Sequence, residues 1–365
     1  MSLARTVRAA KKTTGPTARS VRMRSTSAGS YADRDVRGAL SSARADLPRP
    51  RRVLLTNDDG PDSPFFHKFA EGLRNQLNWP TFVCIPSSNW SYVSKSLKPP
   101  EGPFEVDFTH SKTDAEQEAR CPISPASCVN LGLYELAKDC DLVVSGPNIG
   151  ESLGHMEPAT TSAELTPMPP LSPPSLPHTH THTHTHSLSL SSIEGHNLGR
   201  SSILSSGTVG AALEGCVHGR RAIAMSFPFK GWGSWTDEDV TCAVEVALDV
   251  TGSLWRSWSE EDAPGDAFYN VNVPLWAAAP LKREGRLADL RWVRTTVDAE
   301  TGYTSLFRRG GEEGGVEKSI FEWHPTGQRV FDSETALEGG DVAAVRDGHV
   351  SITKLAPTFQ GLKMM

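Results

Sequence analysis

Three short apolar runs, each ending in a turn, constrain the fold of this chain more than any other feature. The first, residues 53–55, stops at the sequence TNDDGP, and the second, residues 81–85, also ends at a proline. Between them, residues 64–77 carry apolar side chains at helical spacing. A third run, residues 142–144, follows a helix candidate at 129–138 and leads into Ser-Gly-Pro-Asn. Crossovers of this kind join parallel strands, so the pattern predicts an α/β fold with a parallel sheet.

Two adjacent carboxylates, Asp58 and Asp59, lie at the end of the first predicted strand. In open α/β sheets, ligands bind just beyond the carboxyl ends of the strands. Neighbouring carboxylates repel each other unless a cation lies between them or one of them takes up a proton. The pair therefore predicts a metal site at this edge of the sheet.

The other two predicted strands bring further oxygen ligands to the same edge. A serine-rich loop, residues 87–96, follows the second strand, and Asn148 follows the third. Oxygen ligands without a nearby Cys or an obligatory His suit Mg, Mn or Ca. Taken singly, each of these residues is more often a turn or helix-capping residue. Their coincidence at three strand ends favours a site.

A phosphate-binding helix is the second candidate feature. Ser205, Ser206, Gly207 and Thr208 precede an apolar stripe that continues to residue 217 and predicts a helix. Ser206 or Thr208 can cap it, and its free amides and positive dipole end suit a phosphate. Alone, the segment is best explained as an ordinary capped helix. If the helix begins beside a metal site, phosphate binding is a more economical interpretation of the segment than a helix cap alone.

Composition excludes several classes of protein. A net charge of −6 over 365 residues gives no sign of binding to a nucleic-acid polymer. No apolar run approaches the ~18 residues that a membrane span needs. The six cysteines form no CxxC pair. We therefore expect them to be reduced and mostly buried in an intracellular protein, and we expect neither a disulfide framework nor a zinc site.

Two segments do not resemble folded structure. Residues 1–50 begin with a basic, Ser/Thr-rich stretch without an acid up to residue 32, which is typical of a mitochondrial or plastid transit peptide or of a disordered tail. Without targeting, the expected location is the cytoplasm.

Residues 151–195 are rich in proline and then alternate His with Thr. Three interpretations stay open: an adventitious metal-binding segment, a disordered loop and a retained intron. We favour the retained intron, because a CA dinucleotide repeat in the gene encodes alternating His and Thr. We predict one catalytic domain, residues 51–360, interrupted by this insert.

Several motifs together resemble the SurE family (survival protein E), which are metal-dependent 5′/3′-nucleotidases. The matching segments are LLTNDDG at 54–60, the loop at 86–97, VVSGPNIG at 143–150 and SSGTVGAALEG at 205–215, with weaker matches at 269–274 and 339–355. The resemblance covers nearly all of 51–360 apart from the insert. It implies a Rossmann-like, three-layer parallel-sheet domain with an extending β-hairpin, expected within residues 272–321. It also implies a homodimer or a tetramer.

The resemblance also implies the residues of the site. The family's metal ligands are two adjacent aspartates, a loop serine and an asparagine, which match Asp58, Asp59, Ser91 and Asn148. A glycine commonly follows that serine in the family, whereas Tyr92 follows Ser91 here, and Ser88 and Ser94 stay open as alternatives. By the same likeness, the candidate phosphate or substrate contacts are Asn57, Ser205, Ser206, Gly207 and Thr208.

The expected function is hydrolysis of a nucleoside monophosphate or another phosphomonoester by activated water. One divalent metal per subunit, Mg, Mn or similar, would assist, with Asp58 and Asp59 as catalytic residues. Two alternatives stay open. A haloacid-dehalogenase-like phosphatase needs an Asp-x-Asp motif that TNDDGP lacks. A non-catalytic metal- or nucleotide-binding protein on the same fold would result if the insert, which separates Asn148 from the predicted phosphate helix, had inactivated the chain.

Overall fold

The computed structural model describes residues 49–109, 117–149, 196–231, 233–258, 262–299, 305–309, 321–326 and 337–358. The interpretations of residues 1–48 as a targeting segment or tail and of residues 151–195 as an insert lie outside these ranges. The extent of the catalytic domain, residues 51–360, stays a prediction for the same reason.

A nine-stranded, mostly parallel sheet organises the described chain. The described residues form eleven strands, nine of them in this sheet and β9 and β10 in a separate pair. They are β1 (Val53–Thr56), β2 (Thr81–Pro86), β3 (Asp107–Phe108), β4 (Glu118–Cys121), β5 (Leu142–Asn148), β6 (Arg221–Ser226), β7 (Phe268–Asn272), β8 (Trp292–Thr295), β9 (Ser305–Arg309), β10 (Phe321–Thr326) and β11 (Val350–Leu355). The sheet order is β3-β4-β2-β1-β5-β6-β7-β11-β8. Only the β3–β4 and β7–β11 pairs of this sheet are antiparallel within the described ranges. The predicted α/β class is confirmed.

Helices cover both faces of the sheet and make three layers. They are α1 (Phe66–Asn75), α2 (Pro125–Leu131), α3 (Gly199–Ser205), α4 (Gly207–Val217), α5 (Asp237–Ser257), α6 (Leu275–Arg283) and α7 (Asp341–Arg346). One apolar core lies between the sheet and α1, α5 and α6. A second core lies between the sheet and α2 and α4. Burial of apolar surface on both faces is what makes the parallel strands read as nearly continuous apolar runs.

The first predicted helix is confirmed, and the second is shifted. Helix α1 lies inside the predicted range 64–77, with its aromatic side chains buried. The helix expected at 129–138 begins earlier, because Ser124 caps it and Pro125 occupies its first turn. After Leu131 the chain continues as a π-helical segment, Gly132–Leu136.

Strand β5 is longer than its apolar run predicted. It continues through Ser-Gly-Pro-Asn to Asn148 instead of ending at residue 144. Its register against β6 shifts between Ser145 and Asn148, which marks a bulge where the strand can accommodate glycine and proline. Gly146 has a φ of +109°, and a Cβ there would lie 2.1 Å from the carbonyl oxygen of Met225. Only glycine fits this position.

An antiparallel hairpin of β9 and β10 forms a separate two-stranded sheet. Strand β9 lies inside the expected range 272–321 and β10 begins at its last residue, because α6 and β8 occupy the first part of that range. The homodimer or tetramer that the family resemblance implies stays a prediction. Among the residues that the structure describes, no helix is long and apolar enough to cross a membrane.

Candidate active site

A tight turn after β1 presents the two adjacent aspartates. The side-chain amide of Asn57 donates to the carbonyl oxygen of Gly60 at 2.7 Å, and the Gly60 amide donates back to Asn57 Oδ1 at 3.1 Å. Gly60 has a φ of +83°, a conformation that glycine adopts without steric cost. Asn57 is fully buried and forms the turn. Its contact with substrate stays a prediction, and its structural role was not foreseen.

The first turn of α4 packs directly on Asp58, which is only 2% exposed. The Thr208 hydroxyl donates to Asp58 Oδ1 at 2.5 Å. A Cβ on Gly207 would lie 2.8 Å from Asp58 Oδ2, so the helix backbone is in close contact with the carboxylate. The Trp90 amide donates to the Asp58 carbonyl oxygen at 2.7 Å. Asp58 is therefore where β1, the loop after β2 and α4 meet.

The end of β5 reaches Asp59, the second aspartate. The amide of Ile149 donates to Asp59 Oδ2 at 2.9 Å. Asn148, the residue before it, is 6% exposed and closes β5. The structure thus brings Asp58, Asp59 and Asn148 to the same edge of the sheet, as the parallel topology predicts.

The loop after β2 distinguishes between the three candidate serines. Ser88 and Ser94 are exposed. The hydroxyl of Ser91 is buried and has no hydrogen-bond partner among the described residues. Tyr92 has a φ of +61°, in the left-handed region that favours glycine. A glycine would adopt this conformation without strain, and the role of Ser91 as a metal ligand stays a prediction.

An ion pair anchors the same loop to α4. Lys95 Nζ lies 2.5 Å from Glu214 Oε2, and the Ser94 amide donates to the Ser205 carbonyl oxygen at 2.9 Å. Burial alone would raise the pKa of Glu214, but hydrogen bonds from Lys95 and Asn130 outweigh it and hold the pKa below its ordinary value. Glu214 is therefore a buried carboxylate that holds the loop. Sequence reasoning missed it, because a glutamate on a helix carries no signal of its partner.

The predicted phosphate contacts divide into two groups. The Ser206 side chain accepts from the Val209 amide at 3.0 Å and caps α4, as predicted. The Ser205 hydroxyl donates to the Ser201 carbonyl oxygen at 2.9 Å, so it serves α3. Gly207 and Thr208 are the first two residues of α4, where amides have no intrahelical acceptor. Thr208 does not cap the helix, since its hydroxyl donates to Asp58.

Buried asparagines of β7 also hold the chain that leads into α3. Asn272 Oδ1 accepts from the Asn197 amide and from the Ser226 hydroxyl, both at 2.9 Å. Asn270 donates to the Asn197 carbonyl oxygen at 2.7 Å. These side chains are 1% exposed or less. The sequence signal was the YNVNVP segment, whose two asparagines interrupt an apolar strand.

The fold and this edge define a doubly wound α/β protein with an oxygen-rich site beyond its parallel strands. The family model described as survival protein SurE matches residues 53–163 and 177–299. The chain therefore belongs to the SurE family. The break in the match falls inside the segment 151–195.

The chain is similar to proteins from yeast and from bacteria. The chain is 26% identical to the probable tubulin–tyrosine ligase PBY1 of Saccharomyces cerevisiae over 85% of its own length, and it spans 41% of that longer protein. It is 26% identical to the 5′-nucleotidase SurE of Prochlorococcus marinus, with coverage of 84% of this chain and 91% of the relative. The SurE protein from Aquifex aeolicus, a crystal structure, is 23% identical with a TM-score of 0.54, over 85% of this chain and 94% of that chain. That likeness shows the fold.

Proposed function

We propose that this chain is a divalent-metal-dependent phosphomonoesterase that hydrolyses nucleoside monophosphates. The observation that carries the proposal is the convergence of two buried carboxylates, a buried serine hydroxyl and the first turn of α4 at one edge of the sheet. The bacterial relatives named 5′-nucleotidase SurE support the choice of substrate.

The donor set fits a hard divalent cation. Asp58, Asp59, Ser91 and Asn148 offer oxygen atoms, which Mg²⁺ and Mn²⁺ prefer. A buried hydroxyl without a partner costs about 1–3 kcal/mol, and a cation would give the Ser91 oxygen a partner. Two adjacent carboxylates of like charge also gain from a cation between them.

When bound by these four residues, such an ion supplies Lewis acidity toward a phosphoryl oxygen and a lowered pKa for a water molecule. The protein supplies position. Thr208 fixes the Asp58 carboxylate by its hydrogen bond, and the Ile149 amide fixes Asp59. One of the two carboxylates accepts the proton of the attacking water.

The start of α4 completes the proposed site. The amides of Gly207 and Thr208 lie at the positive end of the helix dipole and donate to phosphate oxygens that gain charge during the reaction. Because Gly207 has no side chain, the phosphate approaches the backbone of α4 beside Asp58. This arrangement favours a phosphate held between the carboxylate edge and the helix.

Phosphate release tests the proposal. We would assay AMP, GMP and an aryl phosphate with Mn²⁺, Mg²⁺ or EDTA, for the full chain and for a chain lacking residues 151–195. Asp58→Asn keeps the shape and one acceptor of the side chain but removes its charge, and we expect a loss of at least ~100-fold. Asp62→Asn, an exposed aspartate four residues away, is the matched control and should keep full activity.

The outcomes separate the alternatives. Activity that resists EDTA, or that survives in Asp58→Asn, would eliminate the metal mechanism. Metal binding without phosphate release in both chains would favour a non-catalytic binding protein. Activity only in the shortened chain would identify residues 151–195 as the cause of inactivity.

A further inference from the structure

Three of the six cysteines meet in the core between the sheet and α2. Cys84 lies on β2, Cys121 ends β4 and Cys128 lies on α2, and all three are fully buried. Their sulfur atoms lie within 4.8 Å of one another, and those of Cys84 and Cys121 are 3.7 Å apart. We call these residues the trithiol cluster. The six cysteines are free and buried, as predicted, but no sequence spacing indicates this convergence.

The spacing of the sulfur atoms suits a common central atom. Three thiolates bound at about 2.3 Å to one centre lie about 3.4–4 Å from one another, with the shorter separation for a pyramidal centre. The observed separations of at most 4.8 Å require a contraction of up to about 1.4 Å to reach that geometry. Buried cysteines often act only as small apolar side chains. Three of them with sulfur atoms within 4.8 Å of one another, contributed by three different elements, offer a set of ligands for one centre.

The charge of the surroundings decides which centre fits. Hydrogen bonds from the Cys128 and Cys84 thiols lower the pKa of Cys121 to about 4, while the pKa of Cys84 is raised well above its usual value by its bond to Cys121. Burial likewise raises the pKa of Cys128. Among the described residues, no Lys, Arg or His contributes to the pKa of Cys84 or Cys121.

A complex with net charge is costly in such an apolar core. Three thiolates around a monovalent ion carry two negative charges, and around a divalent ion they carry one. Around a trivalent centre they carry none. A neutral complex is the one that this core can bury without a compensating cation.

We propose that the trithiol cluster binds a trivalent thiophilic metalloid, of which arsenite is the simplest form. Each arsenic–oxygen bond of arsenous acid breaks as an arsenic–sulfur bond forms, and each leaving hydroxyl takes up one thiol proton as water. Three thiols therefore release three waters. No electron is transferred and no net charge changes, so the step needs no further reactant.

Entry is possible from the nearby edge of the sheet. Strand β4, which carries Cys121, is covered on its outer side by β3, which has two residues, both exposed. Local opening of such an edge requires less free energy than global unfolding. The Ser87 amide donates to the Cys121 carbonyl oxygen at 2.8 Å, so the cluster also lies at the base of the loop that carries Ser91.

Native mass spectrometry of the reduced full chain with arsenite tests the proposal independently of any phosphatase activity. We expect one arsenic per chain, with a mass gain of one arsenic atom less three protons. Cys121→Ala and Cys128→Ala should weaken binding by about 100-fold or more, because each removes one arm of a chelate. Cys140→Ala is the matched control, since Cys140 is fully buried in the same core outside the cluster.

Three results would overturn the inference. A wild-type adduct that keeps one hydroxyl would show that only two thiols bind. Equal loss of binding in Cys140→Ala would place the adduct elsewhere. Retention of Zn²⁺ or Cu⁺ by the cluster against equimolar arsenite would contradict the argument from charge. If the cluster variants do not fold, the mass of the wild-type adduct and the competition still decide the matter.

Discussion

Replacing Gly207 with alanine would test whether α4 rests on the proposed metal ligand Asp58. The new methyl group would lie 2.8 Å from Asp58 Oδ2, 2.9 Å from Asp58 Cβ and 3.0 Å from the Trp90 carbonyl oxygen. Favourable contacts of this kind are about 3.5–4.0 Å long, so the carboxylate must move by more than about 0.5 Å. The oxygen atom of Trp90 belongs to the backbone, which leaves the Asp58 side chain as the group that yields.

We expect this variant to lose function more than stability. Overpacking at one methyl group costs about 1–3 kcal/mol, and the better helix propensity of alanine offsets part of it. A misplacement of about 1 Å at a catalytic group can cost ~100-fold, so phosphate release from AMP should fall by about 10- to 100-fold. Calorimetric affinity for Mn²⁺ should fall with it, since Asp58 is a proposed ligand.

Gly252→Ala is the matched control for this substitution. Gly252 lies inside α5, and a Cβ there would meet its nearest atom at an ordinary 3.9 Å. The control should be about 1 kcal/mol more stable in urea unfolding and unchanged in activity. If Gly207→Ala folds and matches this control in both rate and Mn²⁺ affinity, the close contact between α4 and Asp58 has no part in the site.

Three further predictions concern stability. Gly146→Ala should cost more than ~3 kcal/mol in urea unfolding, since its Cβ would lie 2.1 Å from the Met225 carbonyl oxygen; a loss below ~1 kcal/mol would contradict the bulge. Lys95→Met removes the lysine partner of the buried Glu214 and should lower the free energy of unfolding by about 1–3 kcal/mol, a figure already reduced because Lys95 is partly exposed to solvent. Lys138→Met, at an exposed ion pair, is the control and should cost less than ~1 kcal/mol. The folded pKa of Glu214 is lowered, so its stabilising contribution is present above its unfolded pKa of about 4.3 and is lost as the pH falls through the folded value. Below about pH 5, the wild type should therefore lose more stability than Glu214→Gln. Parallel pH profiles of stability for the two proteins would refute this prediction.

Local patterns in the sequence were sufficient for strands β1 and β2 and for helices α1 and α4. Strands β1 and β2 and helix α1 lie where the apolar pattern placed them, because both strands are buried throughout and α1 buries one apolar face. Strand β5 was underestimated, because its continuation depends on a bulge against β6 that no local pattern records. The hairpin of β9 and β10 begins inside the expected range 272–321 and ends beyond it, since α6 and β8 occupy the first part of that range.

The candidate site shows the same division between local and distant contacts. Adjacent carboxylates at a strand end indicate charge that requires compensation, and the serine cap of α4 follows from the residue types alone. The exposure that separates Ser91 from Ser88 and Ser94 depends on how the loop packs, and no local pattern records it. The ion pair between Lys95 and Glu214 joins residues far apart in the chain, and no spacing predicts it.

The sequence by itself determined the α/β class, the strand-end carboxylates Asp58 and Asp59 and the capped start of α4. Each of these features follows from residues that are close together in the sequence. Tertiary structure alone decided that Thr208 holds Asp58, that Ile149 holds Asp59 and that three cysteines share one buried volume. The physical reason is that parallel pairing of β1, β2, β4 and β5 aligns residues that are distant in the sequence. Their distances depend on strand register and on helix packing, which arise only when the whole sheet has formed.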